Sequence, residues 1–327
     1  MKLSKMLCRM LLLVHFLCHT HALSNTYSQF KPVKLKYPIK TVIKEATTQA
    51  PPKKKKALVA VYGVFSRSLR STWPQINRMI VKPLEKDYDV EIYGFNNQVD
   101  NIDTLDGRPI QKSSADTIKT KHKLVYQEVK QSQLDVYIKQ HNSWLTESWV
   151  NWYNPATKKN AIRQFYVEQQ VSNYITGSEE SYAMVVALIA DIYPYVPIST
   201  RDIEVRDNII YTSGMFGAMT NGYYVGSKHS VSSTMATVNL IESLDKHALA
   251  GKEKSKSYEV ILADTLRSNK LERRITDMLF CKLRNNLACA YLDGPTNAKA
   301  FKGMSWSQKL CAYFEQFPVL KPMKRVV

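Results

Sequence analysis

A strand–helix–strand pattern early in the apolar part of the chain constrains the fold most. Ala57–Gly63 is a short apolar run that ends in glycine, which is typical of a buried parallel strand. Apolar residues then recur every three or four positions from Leu69 to about Val81, which predicts an amphipathic helix. A second strand is predicted over Tyr88–Phe95. Such a unit joins parallel strands through a right-handed crossover, so we expect an α/β fold.

Later segments extend this pattern. Tyr182–Ala190 is the most apolar segment after the N-terminus and predicts the central strand of the sheet. Ile209–Thr212 and Gly222–Gly226 predict two further short strands. Helices are predicted over residues 114–141, 161–175, 230–244, 258–269 and 273–285. The sequence therefore predicts a mostly parallel central sheet flanked by helices, a Rossmann-like single domain.

The first 22 residues have the three parts of a secretory signal peptide. Basic residues precede the apolar run Met10–Cys18, and Thr20 and Ala22 provide a cleavage site after Ala22. The apolar run is about half of the roughly 20 residues that a membrane-spanning helix needs. We therefore expect a cleaved signal peptide, with a retained signal anchor as the alternative. Either places the chain in the secretory pathway, secreted or in the lumen of the ER or Golgi.

Residues 23–56 predict a disordered stem, because they combine several prolines with many lysines and have little apolar surface to bury. Residues 57–327 then form one large domain. The formal charge of +18 favours acidic partners such as phosphate, sulfate, uronate or anionic lipid, although a solubility charge is the plain alternative. We expect the stem to contact anionic polysaccharide or a membrane surface. No nucleic-acid-binding motif is present, so nucleic acid is not an expected partner.

Cysteine usage fits an oxidising compartment. Two of the five cysteines, Cys8 and Cys18, belong to the predicted signal peptide. Cys281, Cys289 and Cys311 remain, so one pair can form a disulfide and one thiol stays free. The sequence does not specify which pair forms.

The loop after the first strand is the first candidate for a binding site, because ligands of open α/β sheets lie beyond the carboxyl ends of strands. Gly63 permits a turn, Ser66 donates hydrogen bonds, and Arg67 and Arg70 suit a pyrophosphate. The loop lacks the glycine patterns of dinucleotide sites and of P-loops. The alternative is an ordinary solvated loop.

Two other segments are candidates for the same reason. Asp191 ends the most apolar strand, where its carboxylate suits a metal ion or a sugar hydroxyl, or simply terminates the strand. Asn221 suits sugar hydroxyls, Gly222 allows close approach, and Tyr223 offers a flat ring. The alternative for this segment is aromatic packing in an edge strand. Asp87-x-Asp89 lies at the wrong end of a strand, and Asp202-x-Glu204 is typical of a solvated loop.

Taken in order, these segments resemble glycosyltransferase-like proteins with a GT-A-type nucleotide-sugar fold over residues 57–285. The resemblance rests on the following motifs: Arg70-Ser71-Thr72-Trp73-Pro74, Asp89-Val90-Glu91-Ile92-Tyr93, Asp106-Gly107, Arg163-Gln164, the strand leading to Asp191, Ile210-Tyr211-Thr212, and Thr220-Asn221-Gly222-Tyr223-Tyr224-Val225-Gly226.

The resemblance implies a hexosyltransferase that moves a sugar from a nucleotide-sugar to a glycan or protein acceptor. The nucleotide would contact the first candidate loop, with Gly63, Ser66, Arg67 and Arg70. Asp191 would be catalytic and would lie near the sugar phosphate. The donor or acceptor sugar would face Asn221, Gly222 and Tyr223. Glu259 and Asp277 are candidate general bases by position. Two alternatives remain: a catalytically silent glycan-binding protein on this scaffold, and a basic secreted protein that binds acidic polysaccharide.

One departure from the family pattern concerns the metal. The chain has Asp191-Ile192-Tyr193 where related enzymes have the Asp-x-Asp pair that holds Mn²⁺ or Mg²⁺ on the diphosphate. Three alternatives follow: Asp191 alone binds the metal, Arg67 and Arg70 replace it, or the transfer activity has been lost.

Overall fold

A computed structural model describes residues 54–99, 114–140, 155–215, 218–238, 258–276, 278–283 and 289–293. All of them belong to one compact unit that begins at Lys53. The predicted signal peptide and residues 23–53 of the predicted stem lie outside the described residues. No helix of the described part of the chain is long and apolar enough to cross a membrane.

The centre of the fold is a seven-stranded sheet in the order β3-β2-β1-β4-β7-β6-β8. Its strands are β1 (Lys55–Gly63), β2 (Tyr88–Gln98), β3 (Leu124–Lys130), β4 (Tyr182–Ile189), β6 (Ile209–Met215), β7 (Ala218–Gly226) and β8 (Glu272–Ile275). β7 runs antiparallel to its neighbours β4 and β6, whereas the other four pairs of neighbours are parallel. The predicted α/β class with a mostly parallel central sheet is confirmed.

A small antiparallel sheet continues from the end of β4. It has the order β10-β9-β5, with β5 (Ile192–Pro194), β9 (Phe280–Leu283) and β10 (Cys289–Asp293). The backbone N–H of Leu283 donates to the carbonyl of Asp191 at 2.8 Å, which fixes the turn between β4 and β5. Cys281 in β9 is fully buried and disulfide-bonded.

Helices cover both faces of the central sheet. They are α1 (Phe65–Ile76), α2 (Gln131–Gln140), α3 (Pro155–Gly177), α4 (Lys228–Met235) and α5 (Tyr258–Ser268). A π-helical turn (Asn77–Val81) and a last α-helical turn (Lys82–Leu84) prolong α1. Alternate residues of β1 enter two different apolar clusters, so that Val61 packs with α1 and Ala60 packs with α3. This two-sided burial explains why β1 has an almost uninterrupted apolar sequence.

Two predicted helices are wrong. Residues 114–141 contain a 3-10 turn (Ala115–Thr117), β3 and α2. β3 is an edge strand with one buried side chain, so apolar and polar residues alternate only weakly along it. Its apolar residues therefore look like a continuation of the helical spacing of α2. Residues 273–285 contain β8 and β9, which are held by pairing with distant strands. The helices predicted at 161–175 and 258–269 correspond to α3 and α5.

A closed polar network stabilises the sheet at its amino-terminal edge, where β1, β2 and β4 begin. The buried carboxylate of Glu91 accepts hydrogen bonds from Lys123 (2.9 Å), Tyr174 (2.7 Å) and Tyr182 (2.9 Å). Burial alone would raise the pKa of Glu91, but these hydrogen bonds and the charge of Lys123 lower it below its ordinary value. The folded state therefore holds Glu91 ionised and fully hydrogen-bonded.

We expect the substitution Glu91→Gln to lower the free energy of unfolding at neutral pH by about 1–3 kcal/mol, because it weakens charge-assisted hydrogen bonds to a buried group. A lowered folded-state pKa stabilises the protein above the unfolded-state value of about 4.5 and loses this effect as the pH falls through the folded value. Urea unfolding curves of wild type and variant should therefore converge below about pH 4.5.

Glu180→Gln is the control for this experiment. Glu180 pairs with Lys56 at 2.6 Å near the same edge, but both side chains are about one-third exposed. Such a surface pair contributes about 0–1 kcal/mol. Equal losses for the two variants would contradict a special role for Glu91.

Gly222 allows β7 to approach the end of β4. Its φ is +96°, and a Cβ at this position would lie 2.3 Å from Cδ1 of Ile189. We expect Gly222→Ala to cost about 1–3 kcal/mol, because it adds both backbone strain and a steric clash. The control Gly177→Ala, where a Cβ meets nothing within 4 Å, should not destabilise the protein. Thermal unfolding measures both, and equal melting temperatures would contradict this reading of Gly222.

Candidate functional site

The carboxyl ends of β1, β2 and β4 meet at one edge of the central sheet, which we call the carboxyl edge. The three strands are parallel, with Gly63 of β1 opposite Asn96 of β2 and Tyr62 of β1 opposite Ile189 of β4. The residues that follow these strands therefore come together, as expected for the ligand-binding edge of an open α/β sheet.

Backbone turns and side-chain caps make this edge rigid. Gly63 has a φ of +109°, which lets the chain turn directly from β1 into α1. The N–H of Phe65 in the first turn of α1 donates to Oδ1 of Asn96 at 3.1 Å, and Nδ2 of Asn96 donates to the hydroxyl of Tyr126 at 3.0 Å. A side chain of β2 thus caps α1, since the residue before the helix, Val64, has no capping side chain.

The main chain around Asp191 is held just as firmly. The N–H of Ala190 donates to the carbonyl of Tyr62 at 2.8 Å, and Thr72 Oγ1 of α1 donates to the carbonyl of Ala190 at 2.5 Å. Asp191 itself is only 6% exposed. β1, β4 and α1 therefore hold the main chain next to Asp191 in place.

Arg67 and Asp191 face each other across the carboxyl edge. Nη1 of Arg67 lies 3.7 Å from Oδ2 of Asp191, which is an ion-pair distance but too long for a direct hydrogen bond. Nε of Arg67 and Oδ1 of Asp191 are both buried and have no hydrogen-bond partner in the described part of the chain. The pair therefore keeps an open donor and an open acceptor side by side.

Neighbouring residues add further open groups. Oδ1 of Asn97 is buried without a partner among the described residues, and so are Oγ of Ser66 and Oγ of Ser68. A buried polar group that lacks a partner costs about 1–3 kcal/mol. Five such atoms belong to residues at or near the carboxyl edge, and others lie elsewhere in the described part of the chain, for example on Arg163 and Ser213. The carboxylate of Glu91 at the opposite edge is paired.

Two of these residues, Asn96 and Asn97, were not predicted as site residues. The sequence carries a signal for them, because they form a polar pair directly after Phe95 in the last residues of β2. Asn96 shapes the edge by capping α1, and Asn97, which is 4% exposed, presents an open acceptor.

The predicted nucleotide-binding residues do not all lie at the carboxyl edge. Gly63, Ser66 and Arg67 follow β1 there. Arg70 is exposed and lines a different pocket of about 590 Å³, between α1 and residues 114–119, together with Trp73, Pro74 and Asn77. The structure therefore separates Arg70 from Arg67.

The predicted sugar-binding segment is also divided. Gly222 lies against Ile189 near the end of β4, and so belongs to the carboxyl edge. Tyr223 is 0% exposed, and its ring packs against Phe280 with 6.0 Å between centroids. The expectation that Tyr223 offers a flat face to a sugar is wrong, because β7 is an interior strand and not an edge strand. The side chain of Asn221 lies outside the described residues.

A buried network supports the end of β1 from the face covered by α3. The hydroxyl of Tyr62 donates to Oε1 of the fully buried Glu168 at 3.2 Å, and Nε2 of Gln164 donates to the same atom at 3.0 Å. Burial and the neighbouring charge of Glu168 raise the pKa of Tyr62, so its hydroxyl stays protonated and remains a donor. Sequence analysis missed this network because its members come from distant parts of the chain.

The described residues contain no group of three or more His, Cys, Asp or Glu side chains that could hold a metal ion. The carboxylate of Asp191 already faces the guanidinium of Arg67. Two unit charges of the same sign about 4 Å apart repel by about 4 kcal/mol at an effective dielectric constant of about 20, and a divalent ion doubles that cost.

The two candidate general bases are not assigned to the site. Glu259 is partly buried in the first turn of α5, and no described contact links it to Arg67 or Asp191. Asp277 lies outside the described residues.

The open groups define the chemistry that this edge accepts. Arg67 offers N–H donors with a permanent positive charge, which suits phosphate oxygens. Asp191 and Asn97 offer acceptors, which suit hydroxyl groups, and Ser66 can do either. A ligand that carries both phosphate and hydroxyl groups satisfies all of them.

No family model matches the chain, and neither does any curated protein.

Proposed function

We propose that this protein is a glycosyltransferase that moves a sugar from a nucleotide-sugar to a glycan or protein acceptor. The observation that carries the proposal is the pair Arg67–Asp191, with its open guanidinium Nε and open carboxylate Oδ1 at the carboxyl edge. A nucleotide-sugar combines phosphate oxygens with ribose and sugar hydroxyls, which are the groups that this pair lacks.

The roles follow from the chemistry of each side chain. Arg67 binds the diphosphate and stabilises the negative charge that develops on it as the sugar departs. Asp191 accepts a hydrogen bond from a ribose or sugar hydroxyl and orients the donor, and Asn97 does the same at the end of β2. Gly222 acts through the fold, because it lets β7 pack against Ile189 at the end of β4.

The architecture agrees with this proposal at the level of the fold. A mostly parallel sheet with one antiparallel strand, β7, and a fixed carboxylate after β4 is compatible with a GT-A-type fold. In that fold the nucleotide-sugar lies at the carboxyl edge. The seven-stranded sheet also suits other Rossmann-like proteins, so the function rests on the site and not on the sheet.

A catalytically silent glycan-binding protein is the second candidate. It is favoured by the open acceptors of Asp191 and Asn97, since hydroxyl groups alone would satisfy both. It does not use the buried Nε of Arg67, which calls for an acceptor such as a phosphate oxygen. Nucleotide binding therefore separates the two candidates.

We expect UDP, GDP or CMP to raise the melting temperature of the purified chain, because a ligand that binds only the folded state stabilises it. At a concentration about 100-fold above Kd the gain is about 2.7 kcal/mol, or several degrees. Arg67→Ala should abolish this shift. A thermal-shift screen of the three nucleotides, with and without Mn²⁺, measures it.

Arg274→Ala is the matched control. Arg274 also forms an ion pair, at 2.6 Å with Glu204, but it lies on β8, three strands away from β4. This variant should lower the melting temperature of the free protein and keep the nucleotide-induced shift. If no nucleotide stabilises the wild-type chain, the glycosyltransferase proposal fails and the glycan-binding candidate takes its place.

We also propose that the chain enters the secretory pathway and that residues 1–22 are removed. The disulfide at Cys281 supports an oxidising compartment. When the full chain is expressed in cultured eukaryotic cells, N-terminal sequencing of the mature protein should begin at Leu23. Ala22→Lys, which removes the small residue before the cut, should leave the precursor uncleaved. A wild-type protein that keeps residues 1–22 in the membrane fraction would show a signal anchor instead.

A further inference from the structure

We propose that the carboxyl edge binds the diphosphate of a nucleotide without a divalent cation, with Arg67 taking the place of the metal. This inference rests on the proposed function and specifies how its site recognises the donor. It follows from three features of the described residues: the N–H donors of Arg67 that have no acceptor, the position of its charge, and the environment of Asp191.

Arg67 has N–H donors that no described residue engages. Its Nε is buried without a hydrogen-bond partner in the described part of the chain, and its Nη1 stays 3.7 Å from Asp191, beyond hydrogen-bond distance. A guanidinium is always charged and presents its N–H groups in a planar fork that matches two phosphate oxygens. With 24% of the side chain exposed, the group is open to a ligand and still partly shielded from water.

The position of Arg67 adds to its charge. It lies in the first turn of α1, a helix of 12 residues whose N-terminus points towards the carboxyl edge. The unpaired N–H groups of such a turn carry a positive partial charge that favours anions. The N–H of Phe65 donates to Asn96 and the N–H of Arg67 donates to the carbonyl of Val64 at 3.2 Å, so the N–H of Ser66 is the one in this turn that remains for an anion among the described contacts.

Asp191 is placed to orient, not to coordinate. One of its oxygens faces Arg67, and the other is a buried acceptor without a partner in the described part of the chain. A divalent cation bound to this carboxylate would be pressed against the guanidinium, whereas a hydroxyl group fits the same acceptor without repulsion. Asn97 presents a second acceptor of this kind. The edge thus combines one cationic donor, Arg67, with two acceptors that suit neutral hydroxyl groups, Asp191 and Asn97.

Calorimetric titration tests the proposal, with the diphosphates UDP and GDP as probes and the whole chain without its signal peptide as the protein. One series contains excess EDTA and the other contains Mn²⁺. The nucleotide that binds should have the same Kd in both, within about threefold. Arg67→Lys keeps the positive charge but removes the planar guanidinium, which can bind two phosphate oxygens at once. This variant should raise Kd about tenfold or more in both buffers.

Two further variants complete the design. Asp191→Asn keeps the shape of the side chain and removes its charge, and should leave the Kd in EDTA and in Mn²⁺ equal to each other. Arg274→Ala should bind as the wild-type chain does. Circular dichroism spectra that match the wild-type spectrum confirm that each variant is folded.

The possible results separate this inference from the function on which it rests. Equal affinity in EDTA and Mn²⁺, with loss in Arg67→Lys, supports the inference. An affinity that Mn²⁺ raises at least tenfold, and that Asp191→Asn returns to the value in EDTA, overturns it and leaves the glycosyltransferase proposal intact. Absence of binding in both buffers overturns the proposed function and this inference together.

Discussion

The parallel pairing of β1 with both β2 and β4 is the constraint on which the rest of the structure depends. β1 is buried on both faces, by α1 on one side and by α3 on the other, so its position in the sheet is settled by apolar packing. Because its two neighbours run in the same direction, three strand ends meet at one edge. Every open polar group of the candidate site lies within a few residues of one of those ends.

The two edges of these strands are chemically different. At the amino-terminal edge, Glu91 has three hydrogen-bond partners and its charge is matched by Lys123. At the carboxyl edge, equally buried atoms of Asp191 and Asn97 have none among the described residues. Unpaired buried groups lower the free energy of unfolding, and the extensive apolar core offsets this loss. In the proposed site, groups that are already held in position would lose little entropy on binding a ligand. The contrast points to a binding edge more strongly than any single residue does.

The sequence predicted the parts of the fold that a buried strand determines by itself. β1 and β4 are apolar runs with polar ends, so both strands and the positions of Arg67 and Asp191 beyond their ends could be derived from them. β3 and β8 could not, because each is held by pairing with a distant strand and carries few buried apolar side chains. Tyr223 was misjudged for a related reason: an aromatic residue suits a sugar site and an interior strand equally, and only the sheet order decides. Glu168 was invisible, since its partner Tyr62 is 106 positions away.

The single carboxylate after β4 gains a physical explanation from its surroundings. By itself, Asp191-Ile192-Tyr193 looks like a metal site that has lost one ligand. Beside Arg67, one carboxylate is enough to orient the guanidinium, and a second would neutralise the charge that a phosphate needs. In the proposed site, the arginine and the single carboxylate therefore belong to one arrangement, in which a cation of the protein takes the place of a bound ion. This arrangement agrees with the unpaired Nε of Arg67 and the unpaired Oδ1 of Asp191. Atoms that are proposed to bind a phosphate and a hydroxyl group are not hydrogen-bonded to each other.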